Sequence, residues 1–90
     1  GKDFDRAEEE LKRSIELKSD SVAPYVDLGS LYAVKGSFDD AVKEYTRAIK
    51  VNPRQVTPYM MLGLIYGIQE KTDEAVESYK KVLDINPKFV

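Results

Sequence analysis

Ninety residues with 14 basic against 16 acidic side chains carry a net charge of −2, so no basic field exists for nucleic acid or an anionic membrane surface. The chain has neither cysteine nor histidine, which excludes disulfides, thiolate or imidazole metal sites, and catalysis built on either residue. No apolar run approaches the roughly 20 residues needed to cross a bilayer.

The opening GKDFDRAEEELKR is acidic and amphipathic, unlike a signal peptide, which makes the cytoplasm the expected location. Phe4, Ala7, Leu11 and Ile15 recur at helical spacing and predict a first helix over residues 2–18. A second helix is expected from near Pro24 to about Lys35, because proline is tolerated in an opening turn whose N–H groups need no intrahelical acceptor. Ser21 is its expected cap, and Gly36-Ser37 makes the following turn. The third helix spans Phe38–Val51 and stops at Asn52-Pro53. The fourth runs about Pro58–Gln69 and the fifth Thr72–Ile85, with Asn86-Pro87 as the stop. The turn between these two, QEKT, lacks a glycine.

Sliding the sequence by 34 residues lays Val22–Gln55 over Val56–Phe89, with twelve identities: Val, Pro, Tyr, Leu, Gly, Tyr, Asp, Ala, Val, Tyr, Asn and Pro. The same shift brings Phe4 onto Phe38 and Ala7 onto Ala41, so the first helix reads as the second half of an earlier copy. The expected organisation is one array: a partial repeat over 2–18 and two full repeats over 22–55 and 56–89. A duplication at this period predicts an all-α solenoid of stacked antiparallel helix pairs.

Each copy places a glycine inside its first helix, in YVDLGSLY (Tyr25–Tyr32) and YMMLGLIY (Tyr59–Tyr66). Such a glycine costs about 1 kcal/mol of helix stability, so packing must favour the missing side chain. Tyr25, Leu28 and Tyr32 share a face with Gly29 beside them. Ala41 and Ala48 give the partner helix a small-residue face, and Ala75 repeats the first of these. The expectation is a close approach of Gly29 to Ala41, with the tyrosines and leucine filling the space around it.

These residues carry a resemblance to the tetratricopeptide (TPR) repeat family: Tyr25, Leu28, Gly29, Tyr32, Ala41, Tyr45, Ala48 and Pro53, then Tyr59, Leu62, Gly63, Tyr66, Ala75, Tyr79 and Pro87. Val82 departs from the family's final alanine and predicts slightly looser packing. The resemblance implies a right-handed superhelix whose first helices line a concave groove for peptides or other proteins. Its groove positions are Ala23, Val26, Ser30, Ala33 and Val34 in the first copy, and Thr57, Met60, Leu64, Gly67 and Ile68 in the second. The positions that carry a carboxylate clamp in one subclass hold Val26, Ser30 and Met61 here. An unpaired buried carboxylate costs several kcal/mol, so the expected ligand is an apolar or helical protein segment, received by pliable methionine and branched side chains. YMMLGLIYGI is uncharged for ten residues, and an all-round apolar helix is normally buried. The alternative is therefore a structural or self-association module whose apolar face packs against further repeats, another domain or a second copy.

Val90 would open a further copy and the chain starts half a repeat in, so both ends read as cut from a longer array. Uncapped end helices predict self-association as a homo-oligomer. Catalytic residues, cofactors, nucleic-acid partners and membrane insertion are not expected. Asp39 and Asp73 sit in opening turns, where negative charge meets the positive helix end. Glu8, Glu9 and Glu10 are expected on a solvated side, with Glu9 facing Arg13. The tyrosines are expected in the core with their hydroxyls at its edge.

Overall fold

A computed structural model describes residues 2–17 and 21–88. Among these residues five helices follow one another: α1 Lys2–Leu17, α2 Ala23–Val34, α3 Phe38–Val51, α4 Val56–Ile68 and α5 Thr72–Ile85. No strand occurs among the described residues. The expected frame ends, residues 18 and 89, and the Val90 register lie outside them.

Sequence-adjacent helices pack most closely within the pairs α2–α3 and α4–α5, while α1 packs on α2 and α3 on α4. The pairs thus stack, and the all-α solenoid expected from the period is what forms. Helix α4 opens at Val56, two residues before the expected Pro58, and the start of α2 departs in a second detail. Ser21 does not cap α2; Val22 is the cap residue, without a side-chain bond, and its carbonyl accepts from the N–H groups of Tyr25 and Val26, both at 3.1 Å. Pro24 needs no such acceptor, which lightens the demand on a capping side chain. At the other ends, Asn52 and Asn86 turn the chain by accepting backbone N–H groups two residues on, from Arg54 at 3.0 Å and Lys88 at 3.2 Å.

The turns within the pairs α2–α3 and α4–α5 share one geometry. Ser37 N–H donates to Tyr32 O and Lys71 N–H to Tyr66 O, each at 2.8 Å, closing a helix end with a left-handed residue just before the donor. In the first turn that residue is Gly36, φ 81°; in the second it is Glu70, φ 61°. The turn without a glycine therefore keeps the conformation that glycine favours, at the cost of crowding its Cβ. Glu70→Gly is expected to raise stability by about 0.5–1 kcal/mol, read as a melting temperature a few degrees higher. A lower melting temperature would contradict that strain.

The core lies where α3 meets α4. Ala41, Tyr45, Leu62 and Ile65 form a buried cluster, and Tyr32, Phe38, Val42 and Tyr66 pack against it half-buried. Gly29 does permit a close approach, and the atoms nearest to it belong to the Tyr45 ring. A Cβ built at Gly29 would stand 2.9 Å from the Tyr45 ring, and one at Gly63 would stand 2.6 Å from the ring of Tyr79. The flat face of a tyrosine, one turn beyond the alanine, occupies the space left by the missing side chain.

Helix α1 is held on α2 by a polar contact that the reading of its glutamates missed. The Tyr32 hydroxyl donates to Glu8 at 2.9 Å, and the ammonium groups of Lys12 and Lys35 lie 2.8 and 3.7 Å from the same carboxylate. Glu8 is half-buried rather than solvated, and the pairs along α1 are Arg6–Glu10 and Glu8–Lys12 instead of Glu9–Arg13. The hydrogen bond from Lys12, then that from Tyr32, holds the Glu8 carboxyl below its ordinary value of 4.5. A lowered carboxyl pKa stabilises the fold above its unfolded value, and that contribution disappears as pH falls through the folded one. Acid melts between about pH 5 and 3 should show a smaller loss of stability in Glu8→Gln than in the parent chain. Parallel curves would remove Glu8 from the linkage.

Candidate functional site

Helix α4 contributes Met60 and Leu64 one turn apart, and α5 contributes Tyr79, Val82 and Leu83 at i, i+3 and i+4. Together these five line an open cleft of about 330 Å³. Leu64 is 52% exposed, Leu83 49% and Tyr79 40%, whereas Val82 is buried. Val76 and Ile68 extend the exposed apolar surface along the same two helices. Every lining side chain is apolar except for the tyrosine hydroxyl. The cleft can exclude water from a hydrocarbon partner but offers no group to compensate a buried charge.

The comparison within the chain explains why this cleft is open. Tyr45 and Tyr79 occupy the same repeat position, yet Tyr45 is 0% exposed because α4 covers it. Its hydroxyl lies 2.8 Å from that of Ser30, and burial pushes its pKa up while the Ser30 contact pulls it down. Over Tyr79 there is no following helix among the described residues, and Leu64 replaces the serine.

A sequence model of the tetratricopeptide repeat matches residues 57–89, and a second model of the TPR repeat matches residues 29–69. The chain belongs to the tetratricopeptide repeat family. Two solved structures of similar TPR-like shape carry the titles Crystal structure of MamA and Crystal structure of MamA protein. The first superposes with a TM-score of 0.90 at 31% identity, over 96% of this chain and 50% of that one. The second gives 0.87 at 32%, over 94% and 46%. The chain thus spans about half the length of these structures. No curated protein sequence matches it significantly.

The TPR groove positions do not behave as one surface. Met60 and Leu64 enter the cleft with α5. Ala23, Val26 and Thr57 line a separate, more polar hollow of about 250 Å³ where α2 meets α4, shared with Asp27 and Gln55. Ser30, Ala33, Val34, Gly67 and Ile68 line neither. The Ser30 hydroxyl is engaged with Tyr45, and Ala33 packs half-buried against the core, while Val34, Gly67 and Ile68 are exposed. Met61 is turned towards the core.

Reading the repeat positions missed Tyr79, Val82 and Leu83 as cleft residues, because Tyr79 matches a core position and does pack on Gly63. One signal was available. Ala75, Val76, Tyr79, Val82 and Leu83 recur at helical spacing and form one apolar stripe along α5. Among the described residues no helix is long and apolar enough to cross a membrane, and no group of three or more acidic side chains is placed to hold a metal ion.

Proposed function

We propose that this chain is a protein-interaction scaffold that receives an apolar or helical segment against Met60, Leu64, Tyr79 and Leu83. The supporting observation is the contrast between Tyr45, covered at its repeat position, and Tyr79, 40% exposed at the same position beside exposed leucines. Burying such side chains releases roughly 25 cal/mol per Å² of apolar surface, and the cleft carries no cation for an acidic terminus. Methionine and leucine at its mouth adapt to different apolar partners.

The test is titration with an amphipathic helical peptide bearing leucines at i, i+3, i+4 and i+7, followed by calorimetry. M60E/L64E is expected to weaken binding more than about tenfold, since each buried unpaired carboxylate is costly. The helical circular dichroism should stay unchanged, because Leu64 is largely exposed already. Loss of helicity would assign both side chains to the core and end the groove reading.

The same contrast favours a second reading, in which the α5 face packs a helix from a further repeat, another domain or a second copy. Sedimentation at micromolar concentration distinguishes the last of these: a monomer throughout would remove self-association.

A further inference from the structure

Tyr59, Leu62 and Tyr66 lie on the opposite side of α4 from Met60 and Leu64, and they floor a second cleft of about 320 Å³. Helix α5 provides its rim, with the exposed carboxylates of Asp73, Glu74 and Glu77 against one lining cation, Lys81. Ser78 sits between floor and rim, and its hydroxyl donates to the Glu74 carbonyl at 3.0 Å. The floor is therefore aromatic and aliphatic, and the charge is confined to the edge. The carboxylates surround the cleft without converging as a metal site.

The preceding repeat shows what stands at this place when it is filled from within. Glu44 occupies the position of Ser78, only 5% exposed, with one carboxylate oxygen 3.4 Å from Arg47 and the other buried without a partner. Tyr32 occupies the position of Tyr66, and its hydroxyl meets Glu8, which in turn holds the Lys12 ammonium at 2.8 Å. An ammonium, a carboxylate and a tyrosine thus meet on the face of α2. One repeat later Glu8 becomes Val42 and Lys12 becomes Thr46, whose hydroxyl donates to the Val42 carbonyl. The second repeat keeps the tyrosines and ranges carboxylates along α5, but at Ser78 it lacks the bulk of Glu44.

We propose that this cleft accepts a lysine side chain from a partner peptide, because its apolar floor and acidic rim are complementary to a hydrocarbon stem that ends in an ammonium. The four-carbon stem would lie on Tyr59, Leu62 and Tyr66, and the ammonium would reach the rim carboxylates. Lys71 already stands 6.0 Å from the centre of the Tyr66 ring, within the range at which an aromatic face attracts a cation. Glu77 meets Lys80 at 3.8 Å, but both side chains are largely exposed and that contact is weak. The site faces away from the apolar cleft and is independent of the reading given above.

The test is nuclear magnetic resonance titration with the peptide acetyl-Gly-Gly-Lys-Gly-Gly-amide and its norleucine and acetyllysine counterparts. The lysine peptide should shift the ring resonances of Tyr59 and Tyr66 and the amide of Ser78, while the methyls of Met60, Leu64 and Leu83 stay still. Each uncharged counterpart should bind about tenfold more weakly, and E74Q/E77Q should weaken the lysine peptide about fivefold with helicity retained. Equal shifts from all three peptides, shifts confined to the Met60, Leu64 and Leu83 methyls, or unchanged affinity in E74Q/E77Q would each overturn the assignment. Loss of the apolar peptide's binding in M60E/L64E should leave these shifts intact.

Discussion

Tyr45→Ala is expected to destabilise the chain by about 3–5 kcal/mol, the range for removing a large aromatic side chain from a packed interior. Tyr79→Ala, the same change one repeat later, should cost only about 1–2 kcal/mol. The reason lies in their surroundings. Tyr45 has no exposed surface, joins Ala41, Leu62 and Ile65 in the central cluster, and shares a hydrogen bond with Ser30. Truncating it opens a cavity between the two repeats and leaves the Ser30 hydroxyl without this partner. Tyr79 is 40% exposed, so water already wets part of the ring and truncation leaves an open depression instead of a void. A chain of this size has a total stability of only about 5–13 kcal/mol at typical values per residue. The first variant should therefore unfold at markedly lower urea concentration, and the second should stay close to the parent. Equal midpoints for the two would mean that the faces of α3 and α5 are equally covered.

Gly29→Ala should cost about 1–2 kcal/mol, although alanine is the better helix former. The new methyl would stand 2.9 Å from the Tyr45 ring, and that ring is enclosed on all sides. Overpacking of this kind costs about 1–3 kcal/mol and outweighs much of the gain of about 1 kcal/mol in propensity. At Gly63 the clash is closer, 2.6 Å, yet Tyr79 borders the open cleft and can swing outward. Gly63→Ala should thus lie within about 0.5 kcal/mol of the parent, and the Tyr79 ring should become more exposed, visible as a change in tyrosine fluorescence. Distance alone ranks these variants the other way. Thermal melts in which Gly63→Ala is the worse of the two would show that the ring of Tyr79 is held as firmly as that of Tyr45.

Both predictions turn on a pair of residues that the repeat treats as equal. Tyrosine, glycine and leucine recur 34 residues apart, and from that recurrence the helix count, the pairing and the solenoid were legible. Short-range chemistry was legible too: Asp39 and Asp73 lie in opening turns, and Asn52 and Asn86 end their helices. The left-handed turn at Glu70 was not, because a glutamate in that conformation is held there by the flanking helices rather than by its own preference. The contact of Glu8 with Tyr32 was likewise invisible, since it joins residues 24 apart whose meeting depends on how α1 settles across α2.

The sequence by itself determined which segments become helices, where they stop and which residues are interchangeable between copies, because periodicity and turn chemistry act within a few residues along the chain. Only the tertiary structure decided that Tyr45 is sealed while Tyr79 borders an apolar cleft, and that the nearest neighbour of Gly29 is the Tyr45 ring. Burial is a property of what lies across an interface, and two identical residues become different when a helix covers one of them and not the other.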